Sequence, residues 1–277
     1  MTIDIEILQF LHYHPLANRA EIMAGLIDAP SDSTMKRLLS AAIKEGNVET
    51  VGRGPATRYN LTPQAHVTMP LDLATYFDKD IDERVVQESF NFDLIREVLP
   101  KVDIFTKEEL EVLTAAQKEF EKNTEGMTDL EYRKEMERLG VDLSWKSSQI
   151  EGNTYSLLET ERLLKDKQTA SGKTKEEAIM LLNHKDALDF VLDVPDYLKE
   201  LSVHRIEDIH SILTKELGVD RNIRHRRVGI TGTNYRPLDN EFQIREALED
   251  TCILVNGKDN VFEKALLTLV LLSYIQA

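Results

Sequence analysis

Seven consecutive residues, Ser147-Ser148-Gln149-Ile150-Glu151-Gly152-Asn153, hold the sharpest chemical signal in the chain. Gly and Asn are the residue types that most readily take the left-handed conformation ending a helix, so Gly152 and Asn153 read as a C-terminal cap and a turn. A plain helix end leaves Glu151 unexplained. A carboxylate at a helix C-terminus meets the negative end of the dipole and is disfavoured by roughly a few tenths of a kcal/mol or more. Ser147 and Glu151 are four apart and share a face. An acid so placed calls for a cationic partner elsewhere in the protein.

A second region runs from Arg224 to Pro237. It combines Gly229 and Gly232 as turn residues with the basic trio Arg224, Arg226 and Arg227. It predicts a β-hairpin over a helical body; the arginines read as a solvated basic turn, with a place near phosphates as the second reading. The seven histidines lack metal-ligand spacing: His12 and His14 point to different helix faces, and His204 and His210 read as cap and core residues. No nucleophile elbow, Walker loop or dinucleotide-binding glycine pattern occurs.

The elements that must position these residues are mostly helical. Ile3, Ile7, Leu8 and Leu11 share one helical face, and Pro15 breaks it. Arg19 to Leu26 forms a short second helix capped by Asn18. Ser31, Asp32 or Ser33 caps a third, with Met35, Leu38, Leu39, Ala42 and Ile43 inward and Gly46 at its end. Val48, Thr50 and Val51 alternate, Gly52-Arg53-Gly54-Pro55 turns, and Thr57, Tyr59 and Leu61 alternate back. Three helices and a two-stranded wing make a winged helix-turn-helix pattern over 1–64. Residues 65–101 read as a linker or packing segment, and 102–277 as a second, helical domain. Thr106 with Glu109, Ser156 with Glu159 and Thr174 with Glu177 have capping-box spacing. Helices are predicted from Leu130 to about Glu151, from Ser202 to Leu217 before Gly218, from Glu241 to Val255, and from near Val261 as a buried helix.

The run around Glu151 resembles the inhibitory-helix motif of Fic-family proteins: Ser or Thr, three residues, Glu, then Gly or Asn. Ser147 and Glu151-Gly152 match it, and the following Asn-Thr-Tyr-Ser-Leu-Leu-Glu-Thr-Glu-Arg-Leu-Leu is similar to the family's next helix. The resemblance covers most of the chain; this motif is its specific part, and the winged helix is generic. It implies a mainly α protein, a Fic-like helical domain with a β-hairpin flap, and a class II-type inhibitory helix. It implies protein adenylylation, in which AMP passes from ATP, with Mg²⁺, to a protein hydroxyl. Glu151 would then be inhibitory, supported by Ser147, Gly152 and Asn153, by pairing with an Arg of the catalytic loop. The segment Gly229, Ile230, Thr231, Gly232, Thr233, Asn234 and Tyr235 would be the flap that docks a target protein by strand addition. The family's His-Pro-Phe-x-Asp/Glu-Gly-Asn loop does not occur in the chain. In the family register Gln276 stands at the catalytic His and Ala277 at the Pro, so the chain is expected to stop just before that loop. Gln276 cannot act as a base at neutral pH, and the chain as it stands is expected to be inactive.

Composition bounds these readings. The 277 residues carry a net charge of −15. Residues 1–65 hold six basic and seven acidic residues, and the remainder 28 and 42. An acidic body repels nucleic acid. Contact with DNA would fall to a local patch with Lys36, Arg37, Arg53 and Arg58. The rival function is therefore a winged-helix transcriptional regulator with a helical sensor or dimerisation domain, acting as a homodimer. The lone Cys252 excludes an intramolecular disulfide and fits a reducing cytoplasm. The N-terminus has acids where a signal peptide needs basic residues, and Ala265 to Ile275 is too short to span a bilayer, so no membrane contact is expected.

Overall fold

The computed structural model describes residues 3–84, 86–219 and 223–276. The chain is mainly helical, with one small two-stranded antiparallel sheet among the described residues. It divides into two compact units, Met1–Glu111 with Ile230–Arg236, and Val112–Gly229 with Pro237–Ala277. No helix among the described residues is long and apolar enough to cross a membrane.

The first unit begins with α1 (Ile3–Tyr13), α2 (Arg19–Gly25) and α3 (Asp32–Lys44). Asn18 closes a capping box at the start of α2, its Oδ1 accepting from the Glu21 N–H at 2.9 Å while Glu21 accepts from the Asn18 N–H at 2.7 Å. Of the three residues able to cap α3, Ser31 does so, accepting from the Thr34 N–H. β1 (Val48–Val51) and β2 (Arg58–Leu61) pair antiparallel, with Val48 opposite Leu61 and Thr50 opposite Tyr59. Gly52, at φ +84, begins the reversal between them. Ile7, Leu11, Ile22, Met35, Leu39, Val48 and Leu61 meet in one core, and burying each apolar side chain stabilises by roughly 1.5–3 kcal/mol. At Gly25 a Cβ would stand 2.0 Å from the Phe10 ring, so a larger residue there would force that ring to shift.

The segment 65–101, read as a linker or packing segment, has short elements of its own. It holds α4 (Pro63–Thr68) and α5 (Leu73–Asp78), a 3₁₀ turn at Ile81–Glu83, a π turn at Leu94–Val98 and a 3₁₀ turn at Leu99–Lys101. Each is too short to display helical periodicity. Side chains tie them down instead. Thr62 caps α4, Asp72 caps α5, and Gln64 exchanges two hydrogen bonds of 2.8 Å with the main chain of Asp103.

The second unit is built on α7 (Asp129–Ile150), α8 (Leu157–Asp166), α9 (Lys175–Asp193), α10 (Val203–Leu213), α11 (Glu241–Gly257) and α12 (Val261–Ile275); α6 (Lys107–Thr124) spans the division between the units and buries none of its residues. α9 packs against α7, α8 and α10, and α11 against α10 and α12. Val141, Tyr155, Leu163, Leu164, Ala178 and Leu181 form a core among α7, α8 and α9. The Trp145 indole donates to the Tyr155 carbonyl at 2.9 Å, locking α7 to the turn that follows it.

Two helices differ from expectation. α10 ends at Leu213, four residues before Leu217, because the last carbonyls of its run are captured by a neighbouring helix. α12 is buried on one face only: Leu267, Leu271 and Ile275 face inward, whereas Leu269 and Val270 are exposed. Its apolar run is longer than its buried stripe.

Candidate functional site

α7 ends as a two-bond Schellman cap. Glu151 is the C-cap, Gly152 takes φ +86, the Gly152 N–H donates to the Gln149 carbonyl at 3.1 Å, and the Asn153 N–H to the Ser148 carbonyl at 3.0 Å. The backbone of the motif is therefore satisfied without its side chains. Each side chain has a separate task.

Asn153 is buried and structural: its Nδ2–H donates to the Glu177 carbonyl at 2.8 Å and its Oδ1 accepts from the Tyr155 N–H at 3.0 Å. Glu177, from the start of α9, accepts from the Thr154 N–H at 2.7 Å, the Thr154 hydroxyl at 2.6 Å and the Thr174 N–H at 2.9 Å. These donors, the Thr154 hydroxyl first, hold its carboxyl down to about 2. The turn after the motif is thus clamped to α9.

Glu151 stands apart from that network. Its side chain is exposed, and it has no ion pair among the described residues. The structure records no hydrogen bond between Ser147 and Glu151 among the described residues; the engaged hydroxyl is that of the adjacent Ser148, 3.2 Å from His184 Nδ1. Burial lowers the His184 pKa, opposed by a hydrogen bond with the Ser144 main chain and by the charge of Glu151. Neither Ser148 nor His184 was legible as a site residue, because their contact depends on how α7 and α9 pack, 36 positions apart.

The segment 228–237 departs from the expected hairpin. No strand ladder forms there among the described residues; Gly232, at φ +86, makes a turn, and Arg236 forms a single parallel bridge with Ser89. Two glycines and Pro237 in ten positions weaken a strand, and single bonds to Asp82, Arg84 and Glu88 hold the segment in place of a ladder. Arg84 donates to the Gly232 carbonyl at 3.1 Å, the Asn234 amide donates to Asp82 at 3.2 Å, and the Arg236 N–H donates to the Glu88 carbonyl at 2.8 Å.

Arg224 is not a solvated turn residue. Half-buried, its guanidinium donates to the carbonyls of Gln276, Arg226 and Leu238. Gln276 itself ends α12 at φ 53, its N–H donating to Leu272. Ala277, set in register with a proline, lies outside the described residues. Of the candidate DNA contacts, Lys36 pairs with Asp32 at 3.0 Å and Arg58 with Glu21 at 3.8 Å, while Arg37 and Arg53 are exposed.

No group of three or more His, Cys, Asp and Glu converges among the described residues. Comparison with protein families, with curated proteins and with solved structures finds no match for this chain.

Proposed function

We propose that this chain carries the regulatory and target-docking part of a Fic-type protein adenylyltransferase. The observation that carries the reading is the end of α7. Ser147, Glu151 and Gly152 have the spacing of the family's inhibitory motif, and the Glu151 carboxylate is exposed and without an ion pair among the described residues. The backbone of the cap is satisfied without it, so a cap does not account for a carboxylate at the unfavourable end of the dipole. An arginine brought to this helix end would find a partner already in place. Held there, that arginine is withheld from the γ-phosphate of ATP, and transfer stops.

The three N-terminal helices with their antiparallel strand pair support a winged-helix reading of 1–64. The α7–α12 assembly supports a Fic-like core. The segment from Gly229 to Tyr235 is its target-docking flap, with the target adding a strand once the main-chain groups are released. Gln276 supplies no base at neutral pH, so the chain as it stands transfers nothing.

The test is autolabelling of the complete gene product with labelled ATP. Glu151→Gly is tested alone and joined to Gln276→His, to separate loss of inhibition from loss of the base. Because Gln276 supplies no base, the single variant is expected to stay at the wild-type level, and the double variant to label about tenfold or more above Gln276→His alone, the range of a typical coupling between sites, with little change in melting temperature. A folded double variant that labels no more than Gln276→His alone would overturn the reading.

A further inference from the structure

One serine hydroxyl in the second unit is buried without a hydrogen-bond partner. Ser144, on α7 but short of its last turn, is 0% exposed, and its Oγ meets no protein donor or acceptor. A serine in a helix has an obvious remedy in the carbonyl one turn back, or in water at the surface. Ser144 does not use that carbonyl, and leaving a buried hydroxyl unpaired disfavours the folded state. Such groups are uncommon and point to something that completes them.

What Ser144 borders is a groove of about 340 Å³ between α7, α9 and α10. Leu143, Leu188, Val191, Ile209 and Leu213 form its walls, with Leu143 and Val191 partly exposed at its mouth. Its polar groups are Ser144, Ser147 and His184. An apolar cleft of a few hundred Å³ with a few convergent polar groups is the usual form of a small-molecule site. All its walls lie within one compact unit.

We propose that this groove binds a neutral, mostly apolar small molecule bearing one hydroxyl, which hydrogen-bonds to Ser144 Oγ once the side chains covering that atom move aside. Three features select that chemistry. The walls are apolar, so a charged head would be desolvated without compensation. Leu213 is the last residue of α10, so the negative end of that dipole disfavours an anion. A hydroxyl both donates and accepts, and so satisfies Ser144 in either rotamer. Burial keeps His184 neutral at physiological pH, in agreement with an uncharged occupant. The inference stands whether or not the chain is of Fic type.

The experiment uses the full chain and two probes of matched shape, para-propylphenol and para-propyltoluene, with binding read by calorimetry and by thermal melting. The phenol is expected to bind and to raise the melting temperature. It should bind about fivefold to tenfold more tightly than the toluene, the worth of one net hydrogen bond. Ser144→Ala should erase that difference while leaving toluene binding unchanged. The same substitution should raise the melting temperature of the unliganded chain, because it removes an unpaired hydroxyl. Val191→Trp, at the exposed mouth, should block both probes in a folded protein. Equal affinity for the two probes, no binding of the phenol, or a Ser144→Ala chain that melts lower than wild type would each overturn the proposal.

Discussion

Glu177 gathers three hydrogen bonds from two separate turns, and its ionisation depends on the fold. Its carboxyl is held at about 2 against an ordinary value of 4.5. A carboxylate with a depressed folded-state pKa stabilises the native state above its unfolded value and loses that contribution as pH falls towards the folded one. The window is therefore pH 4.5 down to about 2. Glu177→Gln should lower stability at neutral pH and flatten the acid limb of urea-unfolding curves across that window, the two proteins converging near its lower edge. Curves that stay parallel down to pH 2 would show that the bonds to Thr154 and Thr174 do not depend on the charge. Half of this arrangement was legible in the sequence. The spacing of Thr174 and Glu177 announces a capping box, but the bonds to Thr154, 23 positions away, do not follow from any local pattern. The same holds for the motif before it. Gly152 could be read as the left-handed residue, whereas Asn153, assigned with it to the inhibitory set, turns out to have its side chain committed to Glu177 and Tyr155.

Helix starts were readable and helix ends less so, for a physical reason. A start is fixed by a side chain bonding its own backbone three residues on, as at Thr106, Ser156 and Thr174, so the signal is contained in four residues. An end can be fixed by another element. α10 was expected to reach Leu217, yet Asn183 of α9 reaches across with its Nδ2–H groups to the carbonyls of Leu213, at 3.0 Å, and Lys215, at 2.7 Å. Asn183 is buried, so those carbonyls have no ready substitute. Asn183→Ala should cost about 2–3 kcal/mol by urea denaturation, from unpaired acceptors together with a small cavity. Asn183→Asp keeps the volume but replaces the donor with a carboxylate facing two carbonyls, and should cost at least as much. If the Asp variant is as stable as wild type, packing rather than hydrogen bonding holds the end of α10. The hairpin that Gly229 and Gly232 suggested at 228–237 gives way to bonds from elsewhere in the chain: Arg84 donates to the Gly232 carbonyl, the Arg236 N–H donates to the Glu88 carbonyl, and the Asn234 side chain donates to Asp82.

Net charge acts on the molecule as a whole, and here it opposes the rival function of DNA binding. The chain carries −15, and its first 65 residues contribute only −1 of that. Within those residues the basic patch is partly spent on its own acids: Asp32 holds Arg19 at 2.7 Å and Lys36 at 3.0 Å, and Glu21 lies 3.8 Å from Arg58. The pull of Lys36 and Arg19 is also what keeps the Asp32 carboxyl low. Arg37 and Arg53 are the exposed candidates without an ion pair among the described residues. Each phosphate neutralised contributes roughly −0.9 to the slope of log affinity against log salt, so two free cations predict a slope of about −2 on random duplex. Affinity at physiological salt should be weaker than about 1 μM, since non-specific binding commonly lies in the range of about 1–100 μM even for proteins without an acidic body. Asp32→Asn is the informative variant. It leaves the Ser31 cap of α3 in place while releasing Arg19 and Lys36, and the slope should move towards about −4 as two more cations reach phosphates. Fluorescence anisotropy of a labelled duplex over a salt series measures both quantities. Sub-micromolar binding by the wild type, or a slope that ignores Asp32→Asn, would mean that the first 65 residues present a basic surface despite their internal pairs, and the regulator reading would gain over the enzyme.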